Sequence, residues 1–131
     1  MGISAYAVVG MADGSEKRAE DIEAGDRLAD PISGGAFTVG KIWQGPGVGM
    51  IRVAAQNGDD IDLTEDQNLL VGDGRVAAGQ VAPGSPLRTR DGLTVCTGTE
   101  RLMGDYMVYD IVPEGGAGGA SLCANGFAVG V

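Results

Sequence analysis

Short apolar runs alternate with turn residues along the whole chain. Glycine follows Asp or Asn at intervals of a few residues, as in Asp13-Gly14, Asn57-Gly58 and Asp73-Gly74. Between such turns lie runs rich in Val, Ile, Leu and Thr that have the length of β-strands. We place strands at residues 7–11, 37–43, 50–54, 61–63, 69–71, 93–98, 107–112 and 126–129. Because short strands recur so closely, the pattern predicts an all-β fold.

Two local signals add detail to this prediction. Asn57-Gly58 stands between residues 50–54 and 61–63, which is a strong signal for a β-hairpin with a loop of two or more residues. Residues 16–22 are the single stretch that we assign as a candidate helix.

The chain also contains an internal repeat, in which residues 19–28 align with residues 78–87. The matched pairs are Ala19 with Ala78, Ile22 with Val81, Gly25 with Gly84 and Leu28 with Leu87. Similar blocks precede and follow this one at an offset of about 57–60 residues. The alternative is chance similarity between turns rich in Gly and Ala. We favour duplication, in which two units too small to bury a core alone pack around a pseudo-twofold axis.

Composition limits the core and the partners. Hydrophobic residues make up 44% of the chain but aromatic residues only 5%, so the core must be mainly aliphatic. The length of 131 residues suits one domain, residues 1–131. A net charge of −9 disfavours nucleic acid as a partner, because it repels phosphate. No apolar run is long enough to span a membrane, and we expect no signal peptide and no cofactor.

Four segments of the chain, taken in order, resemble the motifs of Hint (hedgehog/intein) domains. The first covers residues 2–26 and the second covers residues 63–71, where active members have Thr-x-x-His. Residues 108–112 and 122–129 resemble the closing pair. The resemblance covers nearly the whole chain and implies an all-β horseshoe of short strands with internal duplication.

The resemblance also implies a reaction on the protein's own backbone. In active relatives a Cys or Ser at the first position attacks the preceding carbonyl in an N-to-S or N-to-O acyl shift. The Thr-x-x-His motif protonates the scissile amide, and a closing His-Asn pair releases the downstream chain in inteins. The partner of such a domain is its own flanking polypeptide, within a larger bacterial parent protein or in the cytoplasm.

This chain departs from that pattern at the catalytic positions. The nucleophile position falls on Gly2, and the histidine of the second motif falls on Gln67. The closing segment would place a histidine near Ala120 and the His-Asn pair on Gly130 and Val131. The chain contains no histidine at all. An amide such as that of Gln67 cannot donate a proton in acid catalysis at neutral pH, so we expect the reaction to be absent.

Two motif residues are retained, and one hydroxyl lies nearby. Thr64 keeps its place in the second motif, and Asp110 resembles the aspartate that relays protons in active members. Ser4 could replace the nucleophile only if the register shifted by two residues. The ends of the chain resemble those of an isolated domain, and its inactivation is either natural or engineered.

Other candidate sites are weaker. The acidic residues 59–66 lack EF-hand spacing, and we interpret them as a solvated strand face rather than a Ca²⁺ site. Residues 115–119 lack the ending of a phosphate-binding loop, and we expect a surface loop there. Cys96 and Cys123 are expected as small buried hydrophobic residues, with a disulfide as the alternative, and zinc is disfavoured. Trp43 is expected in the core, with a partner-facing position as the alternative.

Two functions follow from these observations. The first is a Hint-type self-processing domain that is inactive because its nucleophile and histidines are absent. The alternative is an acidic, non-catalytic β-module that binds a basic protein partner.

Overall fold

A computed structural model describes residues 1–116 and 118–131. Within these residues the chain forms fourteen strands and three short 3₁₀ turns, at Ala19–Asp21, Ala78–Gln80 and Glu114–Gly116. The strands are β1 (Ile3–Ser4), β2 (Val8–Gly10), β3 (Glu16–Arg18), β4 (Arg27–Ala29), β5 (Ala36–Pro46), β6 (Met50–Ala55), β7 (Asp60–Thr64), β8 (Asn68–Val71), β9 (Gly74–Ala77), β10 (Pro86–Thr89), β11 (Gly92–Arg101), β12 (Met107–Pro113), β13 (Ser121–Ala124) and β14 (Phe127–Gly130).

The all-β prediction is confirmed, and each of the eight predicted strands corresponds to a strand of the structure. The predicted helix at residues 16–22 is wrong. Its first half is β3, which pairs antiparallel with β2, and its second half is the turn Ala19–Asp21. A continuous α-helix does not form there because residues 16–18 pair with β2 and the Ala19 amide donates to the carbonyl of Ala7, at 2.8 Å.

The strands join in one sheet, and part of its strand order is palindromic. One part of its path runs β10-β11-β6-β7-β1-β12-β5-β4. In the repeat, β4 corresponds to β10, β5 to β11, β6 to β12 and β1 to β7. Exchanging these partners reverses the path onto itself, and at its centre Ile3 pairs antiparallel with Leu63. This order is the one that a pseudo-twofold axis between β1 and β7 predicts.

Backbone hydrogen bonds repeat as well. The amide of Gly25 donates to Val39, and the amide of Gly84 donates to Cys96, both at 2.8 Å. Each glycine has φ of +93°, a conformation that favours glycine because it has no Cβ. The two halves therefore share the same glycine turn.

We expect Gly25→Ala and Gly84→Ala to cost the same, about 1–2 kcal/mol each, since both force alanine into the left-handed region. An added Cβ would meet no atom within 4 Å at either position, so the cost is conformational. Thermal or urea unfolding measures it. Gly98→Ala is the control, because Gly98 is equally open and its φ is not positive. Clearly unequal costs at the two positions would contradict the structural equivalence of the turns.

The core is mainly aliphatic, as the composition predicts. Phe127, Leu28, Ile61 and Leu63 are among its largest fully buried side chains. Cys96 and Cys123 are buried and free, in agreement with their interpretation as hydrophobic residues. In the described part of the chain, no helix has the length and apolar character needed to cross a membrane.

The prediction that Trp43 packs in the core is wrong. Its side chain is 63% exposed, and the Lys41 ammonium lies 6.0 Å from its ring centroid. Trp43 pairs with Asp110 across β5 and β12.

Candidate functional site

Gly2 and Thr64 form the first contact of the site, where β1 meets the end of β7. The Gly2 amide donates to Thr64 Oγ1 at 3.0 Å, and the Thr64 amide donates to the Gly2 carbonyl at 3.0 Å. Both residues are buried. The pairing of β1 with β7 therefore holds the Met1–Gly2 peptide bond beside the threonine hydroxyl.

Asp66 completes this contact. Thr64 Oγ1 donates to Asp66 Oδ1 at 2.7 Å, and this hydrogen bond holds the pKa of Asp66 below its usual value. Asp66 Oδ2 lies 3.5 Å from the amino nitrogen of Met1. Sequence reasoning missed Asp66 because it was grouped with a solvated acidic face. Its place inside the Thr64–Gln67 motif was the available signal.

Gln67 connects the site to the closing strand. Its side chain is 4% exposed, and Nε2 donates to the Gly130 carbonyl at 2.6 Å. The backbone amide of Gln67 donates to the Thr64 carbonyl at 3.1 Å, so a tight turn links the two motif residues. One turn thus contacts Gly2 through Thr64 and Gly130 through Gln67.

Two clefts border Met1, and Asp110 lines both of them. The first, about 270 Å³, is also lined by Gln67, Gly130 and Val131. The second, about 360 Å³, is lined by Thr64, Asp66 and Trp43 among others. Burial raises the pKa of Asp110, and the charge of Asp66 acts in the same direction. The structure therefore gathers all six predicted site positions around the two ends of the chain: Gly2, Thr64, Gln67, Asp110, Gly130 and Val131.

Arg75 is a second residue that the sequence analysis missed. Its Nη2 donates to the Ala120 carbonyl at 2.8 Å, and its Nη1 donates to the Val131 carbonyl at 3.4 Å. Ala120, where a histidine was expected, also accepts a hydrogen bond from the Val131 amide at 3.1 Å. No motif marks Arg75, which lies just after the β8–β9 turn.

The acidic stretch 59–66 is only partly a solvated face. Ile61 and Leu63 are buried, as expected, but Asp62 is 3% exposed, so its predicted solvation is wrong. Asp62 accepts hydrogen bonds from Arg52 Nε at 2.8 Å and Arg52 Nη2 at 3.0 Å, and another from the hydroxyl of Tyr6. Burial, followed by the interactions with Asp62, raises the pKa of Tyr6 to about 12. This network ties β7 to β6 through Arg52 and to the segment between β1 and β2 through Tyr6, and it leaves Asp62 no role as a free ligand.

Three candidates from the sequence remain: a metal site, the segment 115–119 and Ser4. Among the described residues, no group of three or more His, Cys, Asp or Glu side chains could hold a metal ion. In the glycine-rich segment 115–119, Gly116 and Gly118 line the first cleft, and Ala117 lies outside the described residues. Ser4, the alternative nucleophile, is fully buried within β1, where it pairs with Val108.

These features define a class: the chain has the Hint fold, which is the fold of inteins. It is similar to the gp41-1 intein, with a TM-score of 0.86 and 17% identity over 99% of this chain and 98% of that chain. It is also similar to the bacterial intein-like domain from Clostridium thermocellum, with a TM-score of 0.82, 21% identity and coverage of 99% and 98%. A DnaB intein from Synechocystis sp. PCC 6803 gives a TM-score of 0.80, 15% identity and coverage of 99% and 97%. No family model and no curated protein sequence matches the chain.

Proposed function

We propose that residues 1–131 form one self-processing domain of the intein type that holds its flanking polypeptide but does not cleave it. The observation that carries this proposal is the hydrogen bond of 3.0 Å from the Gly2 amide to Thr64 Oγ1. In the Hint reaction the bond that breaks is the peptide bond at this amide, here Met1–Gly2. The partner is the domain's own parent polypeptide, with which the inteins that the chain resembles are also continuous.

Two replacements account for the proposed inactivity. Gly2 has no side chain, so the first covalent step has no nucleophile. The Gln67 amide cannot supply the proton that the departing nitrogen needs, and its Nε2 is directed to Gly130 instead. Asp110, whose pKa burial raises, lines both clefts beside Met1, and Asp66 lines one of them.

The restored reaction has a defined course. In the variant Gly2→Cys with Gln67→His, the introduced thiolate attacks the carbonyl carbon of Met1, and a C–S bond forms. The C–N bond of the Met1–Gly2 peptide breaks, and the departing nitrogen takes a proton from the introduced histidine. Thr64 orients that nitrogen throughout. An added thiol then exchanges with the thioester and releases the upstream fragment.

Fusion proteins test this proposal. We expect a tagged protein fused upstream of Met1 and another fused after Val131 to stay intact in the unaltered chain, with or without added thiol. The double variant Gly2→Cys, Gln67→His should release the upstream protein in a thiol-dependent reaction, seen on a gel and by mass. Gly2→Cys alone should react about 10²–10⁴-fold more slowly, because it lacks the general acid.

The matched control is Gly2→Ala with Gln67→His, which adds the Cβ and the histidine but no nucleophile. A Cβ at position 2 comes 3.0 Å from the Tyr109 carbonyl oxygen, so this control also reports any steric effect on folding. Cleavage of the unaltered chain at Gly2 would overturn the proposed inactivity. A folded double variant that never cleaves would instead favour the acidic β-module that binds a basic partner.

A further inference from the structure

Arg75 bridges the two backbone segments that end the fold. Its two Nη atoms reach the carbonyl of Ala120, just before β13, and the carbonyl of Val131, just after β14. The Val131 amide also donates to the Ala120 carbonyl, so the guanidinium lies across a contact that the backbone already makes. The planar fork of Arg can reach two separate oxygens at once, which an ammonium group cannot do in the same way.

Gly130 leaves room for the Arg75 guanidinium because it has no side chain. A Cβ at position 130 would lie 2.8 Å from Arg75 Nη1 and 3.3 Å from its Cζ. Any larger side chain at that position must displace the guanidinium. Position 130 is also where the Hint resemblance expects a histidine. Arg75 therefore occupies space that the absent side chain would need.

We propose that Arg75 is a positioning residue for the downstream junction, where it takes the place of the absent histidine and fixes the carbonyl of Val131. The assignment of Val131 as the junction rests on the proposed function. Gln67 holds the preceding carbonyl, that of Gly130, so two side-chain donors fix two successive carbonyls. We call the hydrogen bonds of Arg75 to the carbonyls of Ala120 and Val131 the clamp. Arg stays charged at every physiological pH, whereas a histidine titrates near neutrality, so the clamp should hold equally from acid to mildly alkaline pH.

Amide hydrogen exchange tests the clamp directly. The sample is the full chain, followed after Val131 by a short tag and observed by ¹⁵N NMR. Arg75→Ala should accelerate exchange of the Val131 amide by about tenfold or more, because a charged hydrogen-bond donor is lost beside it. Arg75→Lys should give an intermediate rate. Arg88→Ala is the matched control, since Arg88 also donates to a backbone carbonyl, that of Gly72, at 3.3 Å.

A double-variant cycle tests whether a side chain at position 130 and the Arg75 guanidinium compete for the same space. Gly130→His in the presence of Arg75 should displace the guanidinium and accelerate Val131 exchange as Arg75→Ala does. Combining the two substitutions should add little. The protection factor of the Val131 amide, which removes the intrinsic pH dependence of exchange, should then vary with pH around the pKa of histidine, about 6.5. The proposal is overturned if Arg75→Ala leaves Val131 exchange unchanged, or if the two effects simply add.

This experiment is independent of cleavage, so its failure can be separated from failure of the proposed function. An unchanged Val131 amide in a chain whose restored variant cleaves would remove only the clamp. If Arg75 protects the Val131 amide but the restored variant never cleaves, the clamp exists without a role at a processing junction. That result would also count against the proposal.

Discussion

Asp62→Asn should lower the free energy of unfolding by about 2–3 kcal/mol, because it removes the charge that Arg52 and Tyr6 bind. Asp62 is 3% exposed and pairs with Arg52 across β6 and β7. Loss of a partner from a fully buried ion pair costs about 3–5 kcal/mol, and we expect less here because the Arg52 side chain is 40% exposed. Urea unfolding at neutral pH measures the difference.

The effect of Asp62 should depend on pH in a defined direction. Burial opposes ionisation of this carboxyl, but the hydrogen bonds from Arg52 and Tyr6 outweigh it and lower the pKa below 3.8. A carboxylate whose folded pKa is lowered contributes its full stability above the unfolded value and loses it as the pH falls through the folded value. The gap between the original chain and Asp62→Asn should therefore be full above about pH 4 and shrink below it.

Asp60→Asn is the control for this prediction. Asp60 lies on the same strand but is exposed, so its substitution should change stability by about 0.5 kcal/mol or less. A difference between Asp62→Asn and the original chain that is unaffected by acid would show that Asp62 acts through shape rather than charge.

Phe127→Ala should have the largest effect of any single substitution considered, about 3–5 kcal/mol. Phe127 is 1% exposed and stands in β14, opposite Ala124 of β13 and Thr89 of β10. Phe127 has the largest volume of the fully buried side chains in the described part of the chain, so truncating it should leave a large cavity.

Thermal unfolding of the Phe127→Ala variant measures this loss of stability, and the Trp43→Ala variant is the control, because it removes an exposed aromatic side chain. Trp43 is mostly exposed, and its loss should cost about 1 kcal/mol or less. β14 also leads into Gly130, whose carbonyl Gln67 holds, so we expect Phe127→Ala to loosen the closing strand as well. Equal costs for the two aromatics would contradict the central position of Phe127.

Motif order assigned Gly2, Thr64, Gln67 and Gly130 to one site, and in the structure Thr64 contacts Gly2 and Gln67 contacts Gly130; their roles stay predictions. The Thr64–Gln67 spacing is local, so a short turn directs the two side chains to Gly2 and Gly130. Asp66 was missed although its partner Thr64 lies only two residues away, because it was grouped with the exposed acidic residues around it. Arg75 was missed because a side-chain hydrogen bond to a remote carbonyl leaves no periodic pattern in the sequence. Arg75 contacts the carbonyls of residues 120 and 131, and no sequence pattern around Arg75 predicts these contacts.

The pattern of short apolar runs between turn residues was sufficient for the all-β class and for eight of the fourteen strands, because the side chains of a strand point alternately to its two faces. It could not reveal β1, a strand of two residues that exists because β7 and β12 pair with it from either side. It could not distinguish Asp62 from the solvated acids around it, since burial of that carboxylate depends on Arg52 across the sheet. It also misplaced Trp43, whose exposure depends on which face of β5 the neighbouring strands cover. Local spacing sets which segments become strands, whereas partners remote in the chain set which of their faces, charges and carbonyls meet.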